Sequence, residues 1–358
     1  MNQPVLIVGA GLSGLYTASL LSDNGITCKV IESRDRIGGR VLSEEAAGSR
    51  FDLGPTWFWP EHEPAITALI KKLGLKTFTQ HTKGELLFEQ AADSPAQRHT
   101  LPAHAAERSE RVEGGMQSLI EAVAKTLPAE TVELNTTVTE IEMNQKNEVS
   151  VHAVNGDEED VSYEAASVIL ALPPRLLKRI SFSPELTGLS DLPTWMGGQA
   201  KIISIYDRPF WREKGLSGQA MSWIGPLQEI HDASPQKGPG ALFGFFSLTA
   251  AQRLEIGEEK VKTLVKDQFE RLYGREAGQP VALLYKDWAT DTDTAADEDA
   301  LPLTDFPQYQ PQRPFDVKDP WHHTLFFAGT ETSSGSGGHL EGAIRSAERV
   351  AASIIKLN

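Results

Sequence analysis

The chain has a single cysteine, Cys28, among its 358 residues, so it forms no internal disulfide and leaves redox chemistry to a cofactor. Basic residues are few: 34 Lys and Arg stand against 49 Asp and Glu, a formal charge of −15. That balance argues against a nucleic-acid groove or an anionic membrane as a partner. No apolar run approaches the length that spans a bilayer. Metal-ligand spacing is also missing. His322 and His323 are adjacent and read as a turn, while His81, His99 and His104 are scattered, so no metal is expected. There is no internal repeat. At this length the chain buries a large core and is expected to form two domains.

What is present starts at once. Val5 to Val8 are four apolar residues of a buried strand, followed by Gly9, Gly11 and Gly14 at G-x-G-x-x-G spacing. Such glycines permit a tight turn, close backbone approach to a pyrophosphate, and close packing of helix on sheet. The next helix, with Leu15, Ala18 and Leu21 at helical spacing and Gly25 as its stop, aims its N-terminal N–H groups at that phosphate. Cys28 to Ile31 read as a second strand, with Cys28 small and buried, delivering Glu32 eighteen residues after Gly14. A carboxylate there accepts hydrogen bonds from ribose hydroxyls. Candidate dinucleotide contacts in this stretch are Gly9, Gly11, Leu12, Ser13, Gly14, Glu32, Ser33, Arg34, Gly39 and Arg40. A fingerprint beginning at residue 5 leaves no room for a signal peptide, and a cytoplasmic protein is expected.

Further along, the pattern predicts a helix over about 64–73, a loop-like excursion over 90–110, and a helix reaching Ala124. Strands follow near 132–134, 138–143 and 149–154, then a buried strand from Val168 to Leu172 that Pro173-Pro174 ends. From about 184 to 314 longer antiparallel strands are expected, around 200–206 and 242–247, with a helix over 258–273. The acidic run Asp291 to Asp299 and the proline-rich 301–320 read as solvated or irregular connection. Thr324 to Gly329 restore a buried strand, a Gly/Ser-rich turn follows, and Leu340, Ala343, Ile344, Ala347, Val350 and Ile354 mark one face of a long helix. The fold class is α/β: a discontinuous Rossmann-like dinucleotide domain (1–79, 111–183 and 315–358) and an α+β substrate domain (80–110 and 184–314).

Several motifs occur in a telling order. They are Gly9 to Gly14 with Glu32; Gly38-Gly39-Arg40; Asp52-Leu53-Gly54 with Trp57; Val112 to Met116; Ala171-Leu172-Pro173; Lys201 with Pro209-Phe210-Trp211-Arg212; Trp288; and Phe327 to Thr332 leading into Leu340-Glu341-Gly342-Ala343. Together they resemble the flavin monoamine oxidase family over nearly the whole chain. The resemblance implies FAD in an extended pose. Glu32 would hold the adenosine ribose, Gly11, Ser13, Gly14 and Arg40 the pyrophosphate, Val138 the adenine through its backbone, and Gly329, Thr330 and Glu331 the ribityl region. Ala171 lies in the matching central strand. Gly54, Pro55, Thr56 and Trp57, with Gly338, His339 and Leu340, would border the isoalloxazine.

Lys201 resembles the family lysine that holds a water beside flavin N5 and assists reoxidation, although a strand lysine is ordinarily a surface residue. Trp288 resembles the tryptophan packed on the flavin. The implied reaction is oxidation of a primary or secondary amine, or an amino acid, by hydride transfer to flavin N5. O2 restores the FAD, giving imine, then aldehyde, and H2O2.

Three departures matter. Where the family carries a cysteine joined to FAD, this chain has Asp299-Ala300-Leu301, so the FAD is expected to be non-covalent. Leu301 and His339 stand where two tyrosines frame the amine; His339 reads as a substrate contact, a proton handler, or a polar residue at a helix start. The insertion at 80–110 is short, which implies a more open pocket or closure by another copy in a homo-oligomer. Arg98, Arg212 and Arg313 are candidate partners for a substrate carboxylate. Two other readings stand beside the oxidase: an FAD-dependent dehydrogenase or desaturase acting on an apolar substrate, and a flavin-binding accessory protein with little turnover.

Overall fold

The structure is a computed structural model, in which residues 3–102, 107–186, 192–301, 307 and 319–357 are described. Strand β1 (Val5–Val8) is buried at all four residues and pairs in parallel with β2 (Cys28–Ile31) on one side and Ser167–Leu170 on the other. Leu325–Phe327 and Val132–Glu133 complete a five-stranded parallel sheet. Alternate residues of β1 feed two cores. Val5 and Ile7 pack under helix α1 (Leu12–Asp23) and the C-terminal helix Leu340–Leu357, whereas Leu6 and Val8 pack with Val138, Ile141, Val149 and Val151 of a four-stranded sheet. Covered on both faces, the central strands carry no polar alternation.

A third sheet has seven strands, in the spatial order Ala282–Asp287, Ala200–Tyr206, Gly240–Phe246, Leu227–Asp232, Leu216–Ser222, Glu85–Glu89 and Gln97–His99. Two hydrophobic layers sandwich it. On one face Ala200, Ile202 and Tyr206 meet Val261, Val265 and Phe269 of the helix Glu258–Tyr273. On the other, Ile203, Ile205 and Phe243 meet Phe51 and Leu53, which places the inward side chains of this sheet against the segment that leads to Gly54.

Several expectations change. The excursion at 90–110 is more ordered than a loop, since Glu85–Glu89 and Gln97–His99 form a hairpin that edges the large sheet. Cys28 is partly exposed, with Sγ 3.7 Å from Ser22 Oγ and from Ala18 O, because the first two positions of β2 are only half covered. The acidic run is not solvated throughout. Asp299 is buried, bonded to Arg175 Nη1 at 2.6 Å and accepting from Thr194 N and Ala296 N, and Asp291 joins Arg34 and Lys286 at 2.5 and 2.6 Å. Arg313, His104 and the proline-rich stretch apart from residues 301, 307, 319 and 320 lie outside the described residues.

Candidate active site

The turn after β1 and the start of α1 form the floor of a cavity of about 430 Å³. The glycines divide the work. A Cβ on Gly14 would sit 2.0 Å from Gly9 O and 3.2 Å from Ala171 Cβ, so this glycine lets α1 lie on the sheet. On Gly11, a Cβ would meet the protein only at Gly38 O, 4.0 Å away; the space above Gly11 belongs to the cavity. Gly11 is the N-cap of α1, no side chain caps the helix, and its first turn has no acid, which leaves the N–H groups of that turn for an anion. Ser13 turns its hydroxyl to Ala328 O and so ties α1 to the C-terminal strand. Arg36 donates to Gly39 O and Val41 O and sets the turn that carries Gly38 and Gly39.

At the end of β2, Glu32 is buried and already tethered, its Oε2 accepting from Ala10 N at 2.7 Å and its Oε1 from Arg34 N at 3.1 Å. Arg34 reaches away to Asp291 and to Thr294 Oγ1. Arg179 clamps the same segment through Thr292 O and Ala295 O. Residues 292–294 therefore wall the cavity alongside Ser33, Arg34 and Val138, a contribution with no local signal in the sequence.

The second strand-turn-helix closes the cavity from the C-terminal side. Gly329 has no room for a Cβ, which would lie 2.6 Å from Leu172 O, and Gly338 adopts φ +83° with Trp195 Cβ 2.6 Å from where its Cβ would be. Arg40 makes a two-pronged bond to the fully buried Glu331 at 2.5 and 3.1 Å, joining the Gly38–Arg40 turn to this unit. Thr330 Oγ1 donates to His339 O at 2.7 Å. Glu341, buried at the start of the C-terminal helix, accepts from Ala65 N and Ile66 N and so caps helix α2 (Pro64–Lys72) from outside.

Lys201 enters from the large sheet. It is 5 % exposed, its Nζ donates to Gly54 O at 2.9 Å and to Thr56 Oγ1, and it lies 4.3 Å over the Phe243 ring. Burial pushes its pKa down to about 7, with Arg111 adding to the effect and Asp52 opposing it. Asp52 is itself buried and accepts from Ser43 Oγ and Met116 N; burial raises its pKa, and Arg111 pulls the other way. Trp288 is pinned by Nε1 on Leu53 O at 3.0 Å and lines the cavity, with Lys286 Nζ 4.9 Å over its ring. Trp57 bonds Gln80 through Nε1 and packs on Phe243 at 5.2 Å.

Gly9, Leu12, Pro55, Ala171, Leu340 and the other candidates for the cofactor, Lys201 and Trp288 line this cavity, with two exceptions: Gly14 is packed against Gly9 and Ala171, and Glu331 reaches the cavity through Arg40. Leu301 does not. It is 67 % exposed and is absent from the cavity wall; the aromatic face opposite His339 is Trp195, with ring centroids 6.5 Å and planes 12° apart. Arg212 is committed to Asp232 at 2.8 and 2.9 Å, beside Trp211 Nε1 on the same carboxylate. Arg98 pairs with Glu85 at the sheet edge.

Two strand-turn-helix units face one cavity, with Gly11 open to it, an acid at the end of β2, and a buried lysine and tryptophan in its wall. These residues fit an extended dinucleotide. Comparison with known proteins names the group. Residues 97–355 match the model of the flavin containing amine oxidoreductase family, and residues 7–73 that of the NAD(P)-binding Rossmann-like domain. The chain belongs to the flavin containing amine oxidoreductase family. It is similar to a putrescine oxidase of Kocuria rosea, 26 % identical over 81 % of this chain and 83 % of that one. Amine oxidase [flavin-containing] B of Sus scrofa is also 26 % identical, over 98 % and 86 %. A solved structure of a putrescine oxidase double mutant superposes with a TM-score of 0.80 at 25 % identity, over 99 % of both chains. Cyclohexylamine oxidase from Brevibacterium oxydans IH-35A, 19 % identical with a TM-score of 0.82 over 100 % and 99 %, shares the fold. The chain is thus a flavin-dependent amine-oxidising enzyme of α/β fold. Among the described residues no helix is long and apolar enough to cross a membrane.

Proposed function

We propose that this enzyme is an oxidase of a primary or secondary amine or an amino acid, holding FAD without a covalent bond and using O2 as electron acceptor. The observation that carries the reading is Lys201, whose buried amino group is fixed on Gly54 O and Thr56 in the wall of the cavity. When bound, a flavin takes a hydride equivalent from the carbon bearing the amine and hands two electrons to O2, leaving an imine that water hydrolyses and giving H2O2. The chain's part is binding and electrostatics. Gly11, Leu12, Ser13 and Gly14 would offer backbone N–H groups to the pyrophosphate, with Arg40, held by Glu331, beside it, and Glu32 would hold the ribose. Val138, Ser33 and Arg34 border the adenosine end. Gly329 and Thr330 would face the ribityl region, and Gly54 to Trp57 with Gly338 to Leu340 would border the isoalloxazine end.

Trp57, Phe245, Trp195 and His339 exclude water beside the reacting amine, which favours its neutral, reactive form. Trp288, held on Leu53 O, stiffens that wall. Protonated Lys201 stabilises negative charge developing on oxygen. Non-covalent binding is supported by Cys28, which sits at the start of β2 away from the cavity wall. We further assign 1–79, 111–183 and 315–358 to the FAD domain and 80–110 and 184–314 to the substrate domain.

Lys201→Met tests the assignment. Reoxidation of the amine-treated enzyme by O2, followed by stopped flow, is expected to slow about 10²-fold while the anaerobic step changes little. An unchanged oxygen step would remove Lys201 from the mechanism.

A further inference from the structure

At Thr292 the cavity wall is one residue thick. Thr292, Asp293 and Thr294 line the cavity beside Ser33, Arg34 and Val138, and Thr292 is at the same time exposed to solvent. The segment 291–299 that carries them pairs with no strand among the described residues. Its backbone N–H bonds run to Trp288 O, Asp291 O and Ala296 O, in the segment or just before it. Side chains fasten it to the rest of the chain. Arg34 and Lys286 meet on Asp291 at 2.5 and 2.6 Å, and Arg34 also donates to Thr294 Oγ1 at 2.8 Å. Arg179 donates to Thr292 O and Ala295 O, and Arg175 to Asp299 at 2.6 Å.

Arg34, Arg175 and Arg179 belong to the domain assigned above to FAD, and Lys286 to the seven-stranded sheet. Asp291 joins the two and does not itself line the cavity. A stretch held by ion pairs, without ladder hydrogen bonds, opens at less cost than the sheets on either side of it. We propose that 291–299 is a strap over the adenosine end of the cavity that opens to admit and release FAD, with Asp291 as its fastening. This rests on the FAD reading above. Loosening a fastening speeds entry and exit together and leaves affinity nearly unchanged, whereas losing a ligand contact speeds exit alone.

The test is the rate at which the FAD-loaded enzyme gives up FAD to an excess of an unrelated apoflavoprotein, together with the Kd for FAD from equilibrium dialysis. Asp291→Asn is expected to release FAD about tenfold faster than wild type, with Kd changed less than about threefold. Lys286→Gln loosens the same carboxylate from the sheet side and is expected to speed release about threefold; it decides the matter if Asp291→Asn does not fold. Glu298→Gln breaks the exposed pair with Lys178 at 3.3 Å on the same strap and should leave both quantities within about twofold of wild type. Circular dichroism verifies that each variant is folded. Three results would overturn the strap while leaving FAD binding standing: unchanged release in both fastening variants, a Kd that rises in step with the release rate, or equal acceleration by Glu298→Gln. If the wild-type chain takes up no FAD, the flavin reading fails with it.

Discussion

Gly11→Ala and Gly14→Ala put the same methyl group three residues apart in one motif, and the structure assigns them opposite failures. At Gly14 the new Cβ lies 2.0 Å from Gly9 O, a contact that only separation of α1 from β1 relieves. Overpacking of this kind costs about 3 kcal/mol or more. At Gly11 the nearest protein atom is 4.0 Å away, and the backbone, at φ −70° and ψ 176°, suits alanine. The apoprotein should therefore keep its stability to within about 0.5 kcal/mol. What Gly11→Ala blocks is approach of the pyrophosphate; losing the equivalent of one or two charge-assisted hydrogen bonds, about 3 kcal/mol, weakens FAD roughly 10²-fold. Urea denaturation of the two apoproteins and titration with FAD measure both quantities. Equal destabilisation by the two substitutions, or wild-type FAD affinity in Gly11→Ala, would refute the placement of the dinucleotide over Gly11.

The oxygen step should fall as pH rises through about 7, since deprotonation removes the Lys201 charge. The amine step should rise over the same range as substrate loses its proton; stopped flow separates the two. Glu341→Gln weakens the cap on Ala65 N and Ile66 N and should cost about 1 kcal/mol in chemical denaturation. Asp299→Asn removes a buried charge shared with Arg175 and two backbone N–H groups, an expected loss of about 3 kcal/mol by the same measurement.

Much of this architecture is legible in the sequence where one rule governs a segment. The glycine spacing after Val8 and the apolar positions from Leu340 to Ile354 are local signals, and both elements form where they point. The helix Glu258–Tyr273 likewise follows its periodicity. Strands Leu216–Ser222 and Leu227–Asp232 are harder to read, because neither alternates cleanly: their glycine, serine and charged positions are accepted by a sheet packed on both faces. The acidic run misleads for a related reason. Composition says solvent, but Arg175 and Arg34 arrive from distant elements to pair with Asp299 and Asp291.

In the site, Lys201 is visible through resemblance alone, since strand lysines are ordinarily exposed. Glu63 and Trp195 carry no motif. Glu63 reaches the cavity because α2 begins there, and Trp195 because the turn around Gly197 and Gly198 folds against Asp299.

The most direct measurement of the central claim is anaerobic mixing of the purified FAD-loaded enzyme with amines, followed by admission of air and then acid precipitation. The account predicts that an amine bleaches the flavin absorbance, that air restores it rapidly with release of H2O2, and that precipitation leaves colourless protein and free FAD. Bleaching that air does not reverse would make the enzyme a dehydrogenase, no bleaching by any amine would contradict the catalytic reading, and a yellow precipitate would contradict non-covalent binding.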